Sequence, residues 1–276
     1  MNLSRTELWR WLRERKIISQ HKRVAACCAE FLRMYGDSPD PSDPGKRPEL
    51  RGQKIIWQYW AQGFDNAPEI VRQCTASVDK YCPDWTIIRL SDANLEDYLA
   101  FPDVFIKKRS FYSFAHISDL LRLMLLKAYG GLWMDSTIML SGPIPEEYLS
   151  GSFFVFRRDP DEEAYKYWRN TYAYYFGWAS GFHVNMLNSF IFAKLGDPRI
   201  SLMYKLLIRW WEHNDSLPDY FFFQILFDVL PSFGDYPLVS DCLPHYLQQS
   251  MNDPSFPLMD KDEILKKIHI HKLTYK

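Results

Sequence analysis

The chain lacks the features that mark several large protein classes. Its five cysteines (Cys27, Cys28, Cys74, Cys82, Cys242) are odd in number and form no CxxC pair. That excludes a disulfide framework and a cysteine-based zinc site, and suits free thiols in a reducing cytoplasm. Net charge is nearly absent, −1 from 33 Lys and Arg against 34 Asp and Glu. No global positive field points to nucleic acid, and the main part of the chain has no basic, aromatic-interleaved patch. A membrane-spanning run is missing too. Residues 170–193 carry no charged side chain, but Asn170, His183, Asn185 and Asn188 make them too polar to span. They are expected to form buried interior. The charged N-terminus has no signal-peptide apolar run, and no internal repeat is present.

What is abundant is aromatic: 19 Phe, 17 Tyr and 10 Trp in 276 residues. With an apolar fraction of 47%, the chain can bury a large core without disulfides, which excludes disorder. Most rings in Tyr172–Tyr175, Trp210–Trp211 and Phe221–Phe223 are expected in that core. Charge is locally uneven. Residues 1–36 hold eight Lys/Arg against three acids, while the remainder is net −6. Trp9, Trp11 and Leu12 lie in that basic segment. Two readings stay open: a helix lying on an anionic membrane surface, or a solvated helix packed on the main body.

Residues 1–36 read as a helical N-terminal extension, and 37–50, rich in Pro and Gly, as a linker. The main domain is expected over 51–276. Lys54–Trp60 and Trp85–Leu90 read as buried strands around a helix over Pro68–Tyr81. A short helix is expected after Ser91. Phe114–Tyr129 reads as a strong helix ended by Gly130-Gly131, with a third strand over Leu132–Asp135 and its continuation at Thr137–Leu140. Later strands are expected at 152–157 and 189–193, and helices at 200–213 and 220–230. This alternation predicts an α/β fold with a mainly parallel sheet.

The densest chemistry lies in residues 116–137. His116, Asp119 and Arg122 recur on one face of an otherwise apolar helix. A buried polar stripe needs partners, so Asp119 and Arg122 either pair with each other or line a site. Asp135 is expected at the carboxyl end of its strand, where open α/β sheets bind ligands. An acid there, beside Asp and Arg, suits a cation holding a diphosphate.

Three segments carry a family resemblance: Lys54-Ile-Ile-Trp-Gln-Tyr-Trp60, Ala115-His-Ile-Ser-Asp-Leu-Leu-Arg122 and Tyr129-Gly-Gly-Leu-Trp-Met-Asp-Ser-Thr137. Together they resemble the capsular polysaccharide synthesis proteins. These are bacterial glycosyltransferases similar to the yeast initiating mannosyltransferases and the clostridial glucosylating toxins. The resemblance implies a GT-A fold, Rossmann-like, and transfer of a sugar from a nucleotide-sugar donor with Mn²⁺ or Mg²⁺. It implies that Trp60 stacks on the base. Asp119 and Arg122 would contact donor hydroxyls and phosphate, with Trp133 in the same donor site. Asp135 opens a DxD-like motif whose second acid is replaced by Thr137, a neutral oxygen ligand. His271 would complete the metal site and Lys272 would neutralise departing diphosphate. Asn188 would bond the donor sugar. Asp219 either caps a helix or stabilises the developing oxocarbenium ion.

The expected acceptor is a lipid-linked oligosaccharide at the inner face of the plasma membrane, and the expected course is retaining. The alternative is a degenerate, non-catalytic module that binds sugar nucleotide or glycan within a synthesis complex. A third reading is a nucleotide-sugar hydrolase.

Overall fold

A computed structural model describes residues 5–234 and 236–275. Its first element is a single long helix, α1 (Arg5–Tyr35). Then come β1 (Ile55–Tyr59), α2 (Glu69–Tyr81), β2 (Thr86–Leu90), the short α3 (Leu95–Tyr98) and α4 (Asp103–Lys108), and α5 (Phe114–Tyr129). Strands β3 (Gly131–Met134), β4 (Ile138–Leu140) and β5 (Phe153–Arg157) lead to α6 (Tyr165–Thr171) and β6 (Met186–Ala193). Helices α7 (Pro198–His213), α8 (Phe222–Asp228), α9 (Tyr246–Asn252) and α10 (Lys261–Lys267) precede β7 (Ile270–Lys272).

The central sheet has the order β2-β1-β3-β6-β5. Strand β1 is parallel to β2 and β3, while β6 runs against both β3 and β5. Four of the five strands therefore point the same way, so the mainly parallel α/β sheet read from the sequence is present. Alternation divides its side chains between two cores. Trp57, Tyr59, Trp133, Val155 and Ile191 pack with α5, α7 and α8 on one face. Ile56, Leu132, Met134, Phe154 and Phe192 pack with Val78 and Cys82 on the other. With both faces covered, β1 and β3 are apolar throughout apart from Gln58, as buried parallel strands require.

The later part of the N-terminal helix is packed on the main body. Ile17, Val24, Cys28 and Phe31 belong to the first core, and the Phe31 ring meets Trp210 edge-on at 5.2 Å. Leu8, Trp9, Trp11 and Leu12, nearer its start, are exposed. The Pro-rich segment that follows is held against the body rather than loose. Lys205 Nζ donates to the carbonyls of Gly36 (2.9 Å) and Ser38 (2.7 Å), and the amides of Lys46 and Arg47 donate to Tyr129 Oη.

Residues 170–193 depart from expectation in their first half. It is a partly exposed loop after α6, with Tyr174 61% exposed. The rings here pack on one another and on Trp168 and His245, forming a satellite cluster away from the sheet. The second half is β6 and is largely buried.

The Gly130-Gly131 turn sets the path into β3. Both residues have positive φ (73° and 97°). A Cβ on Gly131 would stand 2.6 Å from the Ile55 carbonyl oxygen of β1. Gly196 also has positive φ, 86°, but nothing lies within 4 Å of its would-be Cβ. The pair therefore separates backbone strain from steric clash. Gly196→Ala is expected to cost about 1–2 kcal/mol in urea unfolding, from conformation alone. Gly131→Ala should cost clearly more, because strand β1 must also shift; equal losses would contradict the packing argument.

Candidate functional site

The site is at the carboxyl edge of the sheet, and Asp135 is its centre. Asp135 follows β3 directly, and its amide donates to the Ser189 carbonyl of β6 at 2.9 Å. Its Oδ1 accepts from Trp133 Nε1 at 2.8 Å and stands 3.5 Å from Arg122 Nη2. Its Oδ2 accepts from Lys272 Nζ at 3.0 Å. Lys272 also donates to Thr137 Oγ1 at 2.6 Å.

Helix α5 brings the next pair. Ser113 caps it, its side chain accepting from the His116 amide. One turn further, Asp119 and Arg122 meet, with Arg122 Nη1 2.9 Å from Asp119 Oδ1. Asn188 Nδ2 donates to the same oxygen at 2.9 Å. The Arg122 side chain is 4% exposed and lies over Trp133 at 5.2 Å and Phe223 at 5.4 Å. Its Nε and Nη1 make no aligned hydrogen bond among the described residues. The guanidinium is held by charge, against Asp119 and within 3.5 Å of Asp135, where the site is lined for an anionic ligand.

These groups floor a cavity of about 620 Å³. Trp60, Asp119, Arg122, Trp133, Asp135, Thr137, Asn188 and Lys272 all line it. The Trp60 ring stands edge-on to Tyr275 at 5.2 Å. Among the further lining residues are Ser136, Ser189, Gln224 and Tyr275, to which the sequence assigns no role. Ser136 Oγ donates to the Tyr59 carbonyl at 2.8 Å and ties the motif to β1. Ser189 Oγ is buried with no partner among the described residues, so it is free to bond a ligand. A lone Ser or Gln carries no spacing signal, so only the fold reveals it.

Two expected residues are not brought to the cavity. Strand β7 pairs antiparallel with β4, placing Lys272 opposite Ile138 and His271 opposite Met139. Alternation sends Lys272 to the cavity and His271 away from it. His271 is fully buried, with Nε2 3.0 Å from Ser141 Oγ, and burial pulls its pKa down to about 4. Asp219 is outside the lining as well. Its carboxylate accepts from the Phe221 amide at 2.8 Å, closing a turn before α8, whose N-cap is Phe221. Neither a metal-ligand role for His271 nor an oxocarbenium role for Asp219 fits these placements.

The two central carboxylates are tuned in opposite directions. Burial pushes Asp119 up to about 6, against the opposing pull of Arg122 and Asn188. Burial also works to raise Asp135, but the charges of Lys272 and Arg122 outweigh it and hold that carboxyl below its ordinary value. Asp135 is thus an anion at neutral pH, with both oxygens engaged.

A divalent cation would find few open ligands here. One carboxylate is available, its oxygens bonded to Trp133 and Lys272. The second motif position offers a hydroxyl already accepting from Lys272, and the expected imidazole points elsewhere. Among the described residues no group of three or more His, Cys, Asp or Glu is placed to hold a metal ion. Mg²⁺ needs few protein carboxylates, but every side-chain oxygen of the motif already bonds within the chain and Lys272 stands against it, so the residues present do not fit a Mn²⁺ or Mg²⁺ centre.

The raised Asp119 value has a signed consequence for stability. The folded state holds this proton more tightly than the unfolded chain does. The resulting stabilisation is full below the ordinary value of 3.8 and is lost as pH rises through about 6. Asp119→Asn lacks this dependence. Its unfolding free energy relative to wild type is therefore expected to rise between pH 4 and 7, by on the order of 3 kcal/mol. Urea titrations at the two pH values test this; parallel pH profiles would show that Asp119 is not held as described.

Comparison with known proteins shows the family of the chain. The sequence pattern described as capsular polysaccharide synthesis protein matches residues 10–276. The chain is 27% identical over 187 residues to the O-glycosyltransferase braB of Annulohypoxylon truncatum, covering 60% of this chain and 39% of that protein. The chain thus spans well under half the length of that relative. Among solved structures it is similar to the PaToxG glycosyltransferase, with 16% identity, a TM-score of 0.39, and coverage of 80% of this chain and 79% of that one. By a match that runs over nearly its whole length, the chain belongs to the capsular polysaccharide synthesis protein family.

Proposed function

We propose that the protein is a glycosyltransferase that moves a sugar from a nucleotide-sugar donor to a glycan hydroxyl. One observation carries this reading. A single cavity combines an aromatic wall at Trp60 with buried Arg122 and Lys272 beside Asp119, Asn188 and Ser189. The aromatic wall suits a base, the two cations a diphosphate, and the carboxylate, amide and hydroxyl the hydroxyls of a sugar. In the reaction, the bond from the anomeric carbon to the diphosphate oxygen breaks, and its electron pair stays on that oxygen. The acceptor oxygen forms the new bond, and its proton passes to the departing phosphate oxygen. Cations near that oxygen stabilise the charge that develops on it.

Asp119 and Asp135 are the only carboxylates lining this cavity among the described residues, and both are held in ion pairs. An inverting transfer calls for a free base at the acceptor. Their engagement supports the retaining course.

The acceptor is assigned to an adjoining cavity of about 540 Å³ that shares Gln224 with the first. Trp178 and Tyr236 line it, each with an arginine guanidinium over its ring, and Asn185 and Asp228 offer polar partners. Asp228 is held by His183 at 2.6 Å and Asn185 at 2.9 Å. A lipid-linked acceptor is supported by the start of α1, where exposed Leu8, Trp9, Trp11 and Leu12 stand among basic residues. No helix among the described residues is long and apolar enough to cross a membrane.

Two measurements test this reading. The first is turnover of UDP- and GDP-sugars with glycan acceptors. Asp135→Ala should lower kcat/KM at least about a hundredfold. Trp60→Ala should raise the donor KM about tenfold, as expected for a lost base stack, while Trp178→Ala should raise the acceptor KM alone. Wild-type protein that binds nucleotide without turnover would instead favour the non-catalytic module. The second is vesicle sedimentation of the full chain. Binding to phosphatidylglycerol vesicles and not to phosphatidylcholine ones is expected, and Trp9→Ser with Trp11→Ser should lose it. Equal, weak retention on both lipids would remove the membrane contact from the proposal.

A further inference from the structure

The seat that a cation would take in this site is filled by the chain itself. The Lys272 ammonium lies between the first and third residues of the Asp135-Ser136-Thr137 motif, 3.0 Å from Asp135 Oδ2 and 2.6 Å from Thr137 Oγ1. An ammonium carries three donors, and these bonds use two. The side chain is 22% exposed and lines the cavity, so the third donor is available to a ligand.

The charges agree with the geometry. Two carboxylates and a divalent ion sum to zero. One carboxylate, one neutral hydroxyl and one ammonium also sum to zero. Replacing the second acid by Thr137 and adding Lys272 therefore reproduces the charge of a metal-loaded acid pair. Placement is secure, because β7 is hydrogen-bonded to β4 and the Leu273 amide donates to the Thr137 carbonyl at 2.9 Å. Lys272 is held beside the motif by backbone as well as by its own charge.

We infer that Lys272 is a built-in replacement for the divalent cation. On the nucleotide-sugar reading above, Lys272 and Arg122 bind the donor diphosphate and neutralise it as it departs, without a metal ion. Arg122 supports the same end, since its side chain lines the same cavity with Nη2 3.5 Å from Asp135 Oδ1.

The test is calorimetric binding of UDP and GDP to the full chain, in EDTA and in Mn²⁺, with Mn²⁺ uptake followed separately by electron paramagnetic resonance. Wild type should bind one nucleotide family equally in both media. Lys272→Met should weaken that binding at least tenfold, with the protein still folded by circular dichroism. The double variant Thr137→Asp, Lys272→Met should take up Mn²⁺ and bind nucleotide only in its presence. A wild-type affinity that rises tenfold or more with Mn²⁺, and loses that rise in Asp135→Asn, would overturn the inference. So would Lys272→Met binding as tightly as wild type. Failure of the underlying reading is a different result: neither nucleotide binds in either medium, and the ammonium assignment falls with it.

Discussion

The structure depends on one carboxylate being held between two cations. Asp135 joins three elements that are remote in sequence: β3, from which it emerges, α5 through Arg122, and β7 through Lys272. A second acid, Asp119, balances Arg122 from within the same helix. Charges removed from water are costly, and they persist only when paired and hydrogen-bonded. Here each has its partner, and Trp133 Nε1 supplies the neutral donor that completes Asp135. Removing Asp119 or Arg122, the two most deeply buried members, typically costs about 3–5 kcal/mol, since the other stays buried without compensation. The array is thus a structural clasp as well as a binding floor.

The rest of the fold presents that clasp. The sheet is covered on both faces by apolar side chains, so its polar chemistry is confined to the carboxyl edge. The Gly130-Gly131 turn lets β3 start against β1, and Trp57 Nε1 donates to the Gly130 carbonyl at 2.9 Å to hold the turn. Ser136 then fixes the exit of the motif to β1. The aromatic excess serves mainly the two sheet cores and a satellite cluster around Trp168, with Trp60 and Tyr275 left at the cavity.

Much of this was legible in the chain. The buried strands and long helices are contiguous apolar or strongly periodic runs, and they emerged within a residue or two of expectation. The one substantial shift at a strand was β6, which begins at Met186 rather than near 189. The short helices α4, α6, α9 and α10 carry too few periodic positions to be seen, and tertiary packing decides them. At the site, Asp119, Arg122 and Asp135 were readable because their spacing recurs on one helix face and at one strand end. The side of β7 that meets the cavity was not readable. Register between β4 and β7 decides whether His271 or Lys272 faces inward, and one residue of slip would exchange them.

That register also bears on how the molecule acquires its site. Lys272 and Asp135 are 137 residues apart, so pairing β7 with β4 closes a loop spanning about half of the chain. Contacts of such long range are formed at a high cost in chain entropy and tend to appear late in folding. A chain with its central sheet already paired would still have Asp135 facing Arg122 alone. A ligand bound across the clasp stabilises the closed pairing by mass action.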